Sequence, residues 1–401
     1  MIPYGRQEIT EGDIRAVVDV LQSDFITQGP AVPRFEEALA RTCGSRFGVA
    51  VSHGTAALHL ACRAMGLGPG DRLWTSAMTF VASANCGLYC GADIDLVDID
   101  PRTRNMSVAA LARKLERAER EGTLPQVVVP VHFGGLPCDM GAIADLAARY
   151  GFRVLEDASH ALGARHEDQP IGSCRYSDAA VFSFHPVKNI TTGEGGAVVT
   201  NDEELAERIR ALRTHGITRD PERMRAEPHG PWYYEQVELG YNYRMTDIQA
   251  ALGASQLERL DAYMTARREL ARRYHGKLGG LPLALPIEPD GTESAWHIYP
   301  VVLSGDDPWS PRRRVFEHLR ECGWGVNVHY IPLHYHPDLA SRMPGDAGFP
   351  AAESYYAGTI TLPLFPGLGH ELQDRVVADL TAALEGTNRE RSQERSAPEK
   401  P

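Results

Sequence analysis

FSFHPVKNITTGEGGAVVTND, residues 182–202, decides the fold. Two apolar runs, AAVFSF (179–184) and GAVVTN (196–201), bracket a polar loop that carries Lys188, with Ser183 and His185 ahead of it and GEGG behind it. Short runs rich in Val and Phe and bounded by glycine are the pattern of buried strands. A surface lysine ordinarily sits on a polar helix face or in a charged turn, whereas this one is flanked by Val187, Asn189 and Ile190. An amine withdrawn from water loses part of its preference for the charged form and becomes a nucleophile toward an aldehyde. A lysine tied into an ion pair beside the sheet is the other reading of the same run.

Working outward, the strand signal repeats at RLWTSA (72–77), DIDLVDI (93–99), QVVVPVHF (126–133) and FRVLEDA (152–158). Amphipathic helical patterns fall between them at 107–121 and 139–151, the second closing on Gly151, which suits a C-cap. Alternation of this kind builds a mainly parallel sheet covered by helices on both faces, an α/β architecture. Thr10 and Asp13 stand at the spacing of a capping box, which predicts an N-terminal helix over 10–22. From 246 to 278 one long helical pattern leads into the Gly/Pro-rich GGLPLALPIEPDGTE (279–293), where a domain boundary is expected. The large domain, with its N-terminal helix and long connecting helix, then covers 1–280, and a smaller α+β domain covers 281–388. In the latter the pattern predicts strands at 296–303 and 327–331 and helices at 312–323 and near 370–386. Residues 389–401 are expected to be disordered, because GTNRERSQERSAPEKP is almost devoid of apolar side chains.

Composition bounds the function. The chain has 401 residues, 43% apolar and 23% charged, with a formal net charge of −12, so a nucleic acid or an anionic membrane surface is not an expected partner. No run approaches the roughly 18 apolar residues of a membrane span, and MIPYGRQEIT opens with neither a basic nor an apolar leader segment, so a cytoplasmic location is expected. Seven cysteines in apolar contexts read as reduced, buried thiols. His329, His334 and His336 fit no zinc spacing, and no metal site is predicted.

Four pieces fall at strand ends, where open α/β sheets place their ligands. SHGTAALHLA (52–61) opens a helix at Gly54 and Thr55, which either cap that helix or hold an anion on its free N–H groups. VLEDASHALGA (154–164) runs a buried strand into two carboxylates, so Asp157 either caps the next turn or faces a cation or ring N–H. The Lys188 loop is the third. In LGYNYRMTDIQAALG (239–253), Asn242 and Arg244 either satisfy a helix start or reach an anion across an interface. Jointly, a helix start for phosphate, an acid for a pyridine nitrogen and a lysine for an aldehyde are the parts of a pyridoxal phosphate site.

The runs GTAALHLA, EDASHALGA, FSFHPVKNITTGEGGAVVTND and GYNYRMTDIQAALG resemble the signature segments of the DegT-type sugar aminotransferases, and similarity extends over roughly residues 2–386. That resemblance implies the fold-type I architecture, with a mainly parallel seven-stranded sheet between helices and a smaller C-terminal α+β domain. FSFHPVK with ITTGEGGA, the opening SDFITQGP and the later VHYIPLH are most similar to the UDP-4-keto-6-deoxy-N-acetylhexosamine 4-aminotransferases of the pseudaminic acid pathway. The resemblance implies Lys188 as the covalent anchor of pyridoxal 5'-phosphate, Asp157 as partner of its ring nitrogen and Phe80 on its ring face. It further implies Gly54, Thr55 and Ser183 at the phosphate, His160 beside the cofactor, and Asn242 supplied by the neighbouring subunit of a homodimer. The nucleotide-linked keto sugar is expected along Tyr4, Phe25, Ile26, Thr27, His185, His329 and Tyr330, with L-glutamate as amino donor. The competing readings are a 3-keto or dTDP-linked sugar, a dehydratase and a cofactor-binding regulator. A dehydratase of this kind places His at position 188 or clusters cysteines around iron and sulfur, and this sequence does neither.

Overall fold

Valine-rich segments with both faces covered build the centre of the molecule; a computed structural model describes residues 1–304, 309–343 and 348–396. Seven strands form one sheet. In chain order they are β1 (Phe47–Val51), β2 (Arg72–Ser76), β3 (Asp93–Val97), β4 (Val127–Val129), β5 (Arg153–Asp157), β6 (Ala179–Ser183) and β7 (Gly196–Thr200). Their spatial order is β1-β7-β6-β5-β4-β2-β3. Only β7 runs against its neighbours; the remaining pairings are parallel. Val127, Val128 and Val129 are all buried, as a strand covered on both faces requires. The register sets Asp157 opposite Val181 and Ser183 opposite Gly196, so the ends of β5 and β6 lie side by side. Strand β1, FGVAV, is an addition to the strands expected from the sequence.

Helix α1 (Glu11–Leu21) starts on the expected capping box of Thr10 and Asp13. The others that position the site are α2 (Gly54–Ala64), α3 (Val108–Glu121), α4 (Met140–Tyr150), α5 (Asp247–Leu257) and α6 (Leu260–Leu278). Gly151 ends α4 at φ 77, a left-handed value that glycine adopts freely because it has no Cβ to clash. The long pattern over 246–278 is therefore two helices broken at Glu258 and Arg259, a correction to the single helix expected. The two halves pack against different partners. Asp13 of α1, fully buried, accepts hydrogen bonds from Ser255 Oγ (2.7 Å), Gln256 Nε2 (2.9 Å) and Arg259 (2.6 Å), which docks α5 on α1. Beyond the break, Leu270, Ala271, Tyr274 and Leu278 of α6 enter the core of the C-terminal region.

That region contains a three-stranded antiparallel sheet of β8 (Leu283–Ala284), β9 (Tyr299–Leu303) and β10 (Thr359–Leu362), with helices α7 (Trp309–Glu321) and α8 (His370–Ser396). Residues 327–331, expected as a strand, form a loop. Asn327 keeps one isolated bridge to Thr361, while the Tyr330 N–H donates to Met78 Sδ (3.3 Å) and the Leu333 N–H to the Ala77 carbonyl (3.0 Å). The Tyr330 and Leu333 N–H groups are thus spent on the loop after β2 rather than on a ladder. Ile2 and Pro3 pair in parallel with Trp324 and Gly325, which carries the N-terminal segment to the same place. Helix α8 continues to Ser396 through positions 389–396, where disorder was expected; Arg, Glu and Gln are good helix formers even without an apolar face. Positions 397–401 of that expected tail lie outside the described residues. Among the described residues no helix is long and apolar enough to cross a membrane.

Candidate active site

The C-terminal ends of β1, β2, β5 and β6 and the reversed start of β7 meet at a cavity of about 810 Å³, a size that suits a small-molecule site. Strand alternation sorts the two adjacent carboxylates of β5 onto opposite faces. Glu156 turns inward, where it meets His132 Nε2 (2.8 Å) and the Ser177 hydroxyl. Asp157 lines the cavity, accepting from Ser83 Oγ (2.7 Å) and the Ser159 N–H (3.1 Å). It is therefore more than a turn cap: each carboxylate oxygen keeps a lone pair free for a donor in the cavity.

Lys188 leaves β6 by a turn in which its N–H donates to the His185 carbonyl (2.8 Å). Its amine makes no ion pair or hydrogen bond among the described residues, although it lines the same cavity as Asp157. The reading of Lys188 as an ion-paired residue is thereby removed. Burial pulls its pKa down to about 8, against the opposing pull of the Asp157 carboxylate. About half the amine is then uncharged near pH 8, which an ordinary lysine reaches only above pH 10.

At the start of α2, His53 Nδ1 accepts from the Ala56 N–H (2.9 Å) and the His53 carbonyl from the Ala57 N–H (3.1 Å). That leaves the N–H groups of Gly54 and Thr55, both on the cavity wall, for an external anion. Two glycines make the approach possible. A Cβ on Gly54 would meet Ser183 Cβ at 2.9 Å, and one on Gly196 would meet the His53 carbonyl carbon at 2.5 Å. The last glycine of GEGG thus lets the reversed strand press against the helix start. Free N–H groups, an unpartnered amine and a carboxylate with spare acceptor capacity fit the phosphate, aldehyde and ring nitrogen of pyridoxal phosphate. Phe80 also lines the cavity and is 56% exposed, which suits a ring that stacks on a ligand better than one that fills a core.

Other lining groups come from the N-terminal segment and the loop at 327–330. These are Tyr4, Asn327, His329 and Tyr330. His329 Nδ1 lies 2.8 Å from Thr361 Oγ1, and the Tyr4 ring meets the imidazole edge-on at 4.8 Å. His160 Nδ1 accepts from the Gly134 N–H (3.3 Å), and its Nε2 lies 3.0 Å from Tyr330 Oη. Burial, and next the Lys188 cation, holds His160 well below the usual histidine range and His329 at about 3. Burial likewise pushes the phenols of Tyr4 and Tyr330 up. These groups offer hydrogen bonds without charge.

Of the residues singled out from sequence, Gly54, Thr55, Phe80, Asp157, His160, Ser183, His185, Lys188, Tyr4, His329 and Tyr330 share the cavity. Phe25, Ile26, Thr27 and Asn242 do not line it. Phe25 and Ile26 are 54% and 52% exposed, on a turn tethered by Asp247, whose carboxylate accepts from the Gly29 and Ala31 N–H groups at 2.8 and 2.7 Å. Asn242 is exposed and its backbone bridges Thr214. Neither Asn242 nor Arg244 caps the following helix, because Thr246 and Gln249 form a capping box there. His334 turns to Glu353 Oε1 (3.0 Å), away from His329. Sequence reasoning missed His53, Thr79, Val131, Glu194 and Asn327 on the cavity wall. His53 was hidden because helix caps are ordinarily Ser, Thr, Asp or Asn; Val131 and Asn327 carry no local signal and arrive through the fold.

Three comparisons bear on this arrangement. The family model described as the DegT/DnrJ/EryC1/StrS aminotransferase family matches residues 7–381. The spore coat polysaccharide biosynthesis protein SpsC of Bacillus subtilis is 39% identical over 390 residues, covering 96% of this chain and 98% of that protein. Among solved structures, Helicobacter pylori PseC, an aminotransferase involved in the biosynthesis of pseudoaminic acid, superposes with a TM-score of 0.87 at 28% identity, over 96% of this chain and 99% of that one. The Streptococcus pneumoniae protein Spr1654 in its PMP form gives a TM-score of 0.87 at 29% identity, over 96% and 100% of the two chains, and has also been solved in a PLP form.

Proposed function

Since the chain belongs to the DegT/DnrJ/EryC1/StrS aminotransferase family, whose members are fold-type I enzymes dependent on pyridoxal phosphate, we propose that it moves an amino group from L-glutamate to C4 of a nucleotide-linked 4-keto-6-deoxy sugar. The proposed acceptor is UDP-2-acetamido-2,6-dideoxy-hexos-4-ulose. The observation that carries the reading is the unpartnered amine of Lys188, with its pKa near 8, in one cavity with Asp157 and the free N–H groups of Gly54 and Thr55.

Bound pyridoxal phosphate supplies an aldehyde for an amine and a ring that takes up the electron pair of a breaking Cα–H bond. The chain's residues do the rest. Gly54, Thr55 and Ser183 would hold the phosphate, and Asp157, itself braced by Ser83 and Ser159, would keep the ring nitrogen protonated. Lys188 would hold the cofactor between turnovers; released, its amine would carry a proton from Cα of the bound donor to the cofactor in one half-reaction and from the cofactor to C4 of the sugar in the other. Depression of its pKa is what lets one group act as base and then as acid near neutrality.

Three further features support the finer parts of this reading. The uncharged hydrogen-bonding groups of Tyr4, His329 and Tyr330 suit the neutral hexose ring of a sugar nucleotide, and PseC is a structural neighbour. Phe25, Ile26, Thr27 and Asn242 are surface groups outside their own chain's cavity, as residues lent to the partner of a homodimer would be. All seven cysteines are free, six of them buried, in keeping with a cytoplasmic enzyme.

Adding L-glutamate to the cofactor-loaded protein should convert the aldehyde form of the cofactor to its amine form, followed by absorbance. Adding the UDP-linked 4-keto sugar should reverse the change and yield a 4-amino sugar by NMR. A spectrum indifferent to amino acids would refute the reading.

A further inference from the structure

The hydrogen bond between His160 and Tyr330 has a direction. The Gly134 N–H reaches His160 Nδ1 (3.3 Å), so Nδ1 is the acceptor nitrogen and the ring's hydrogen sits on Nε2. At 3.0 Å, Nε2–H then donates to Tyr330 Oη. The hydroxyl hydrogen of Tyr330 must point elsewhere, and no acceptor in the protein receives it among the described residues. What lies before it is the cavity shared with Lys188 and Asp157. The surroundings hold the arrangement fixed. The Tyr330 ring is wedged against Phe133 (6.2 Å) and Phe80 (6.1 Å), and its N–H is anchored on Met78 Sδ. His160 is sandwiched from behind by His297, ring centres 4.3 Å apart.

We infer that Tyr330 is a dedicated hydrogen-bond donor to an acceptor oxygen of the bound reactants beside Lys188, and that His160 is a positioning residue that aims it. Two oxygens share the required chemistry: the ring oxygen of the cofactor next to its aldehyde, and the carbonyl oxygen of the keto sugar. The inference rests on the aminotransferase reading of this cavity and adds a polarity to one of its walls. A free tyrosine hydroxyl donates or accepts as the ligand demands; this one already accepts from His160 and has its hydrogen free to donate, which favours a carbonyl or anionic oxygen over a protonated amine at that point.

Tyr330→Phe removes the donor and keeps the packing. In the cofactor-loaded, substrate-free protein it displaces the cofactor's absorption maximum if the acceptor is the cofactor oxygen. If the acceptor is the sugar carbonyl, the maximum and the glutamate step stay as in the parent, and kcat/KM for the sugar falls about 10- to 100-fold, the range for a hydrogen bond to a charged or polarised oxygen. His160→Asn should reproduce the same change, and in a Tyr330→Phe background it should add less than about twofold, because the two act as one unit. An unchanged spectrum together with an unchanged sugar step in Tyr330→Phe would overturn the inference, as would full additivity of the two substitutions. Failure of the parent protein to react with glutamate would instead overturn the aminotransferase reading, while a displaced absorption maximum in Tyr330→Phe would still place the Tyr330 hydrogen bond on the cofactor.

Discussion

The two walls of the cavity are built differently. One is made of strand ends and the turns that leave them, 53–55, 157–160 and 183–196, so its chemical groups sit on or next to the rigid central sheet. The other is made of Tyr4, near the N-terminus, and a loop at 327–330, brought together by the pairing of Ile2 and Pro3 with Trp324 and Gly325. Charge follows the same division. The sheet wall carries Lys188 and Asp157, whereas the loop wall presents phenols, an amide and a neutral imidazole. On the function proposed above, the rigid wall does the chemistry common to both half-reactions and the uncharged groups of the loop wall read the sugar.

Substitutions on the sheet wall should break both half-reactions. Lys188→Ala leaves the circular dichroism spectrum unchanged and lowers turnover by roughly 10²- to 10⁴-fold through lost proton transfer alone. Asp157→Asn, which keeps size and removes charge, is expected to cost about 10²- to 10³-fold in both half-reactions, the magnitude of a lost electrostatic contact in a preorganised site. Equal loss with glutamate and with the sugar is the signature; loss confined to the sugar would erase the contrast between the walls.

Surface residues outside the cavity sharpen the comparison across two chains. Asn242→Ala should lower cofactor affinity about tenfold, and subunit exchange with Lys188→Ala chains should return tight sites, each combining an intact Lys188 with an intact Asn242. Sites that remain weak in the mixture would contradict the shared homodimer. On the loop wall, Tyr4→Phe should raise KM for the sugar about 2- to 10-fold, the worth of one neutral hydrogen bond, and leave the glutamate step alone.

Remote from both walls, Asp13→Asn should leave activity intact while costing on the order of 3 kcal/mol of stability, because it uncouples a buried carboxylate from Arg259. Burial raises the Asp13 pKa, yet the hydrogen bonds from Arg259, Thr10 and Ser255 outweigh it and the net shift is downward. The stabilisation is therefore fully present above the unfolded carboxyl pKa of about 4 and is lost as pH falls below that through the folded value. Denaturant melts from pH 7 to pH 3 should show a flatter pH dependence in the variant.

The same division explains what the sequence could disclose. Groups on the sheet wall lie next to short apolar runs and glycines, so Asp157, Ser183 and Lys188 could be placed at strand ends before any coordinates. Gly196 explains why: the backbone approach it permits, 2.5 Å from a would-be Cβ to His53, leaves a mark in the sequence as GEGG. The loop wall leaves no such mark. Residues 327–331 read as a strand because His, Tyr, Val and Ile favour one, and only the long-range bonds to Met78 and Ala77 decide otherwise. The break between α5 and α6 was equally silent, since neither Gly nor Pro marks it and Arg259, which lies at the break, binds Asp13, more than two hundred residues away in sequence. Phe80 and His160 became legible only through resemblance to the family, because an isolated aromatic or histidine in an apolar context has packing as its ordinary fate.

The claim on which the account depends is that Lys188, with its unpartnered amine, is the covalent anchor of the cofactor. The chain has four lysines, at positions 114, 188, 277 and 400, so the claim can be read without ambiguity. Borohydride reduction of the loaded protein, followed by proteolysis and mass spectrometry, should place the cofactor's added mass on the peptide containing Lys188 and leave the other three lysines unmodified. The added mass on Lys114, Lys277 or Lys400, or an unmodified Lys188 in fully loaded protein, would contradict the account.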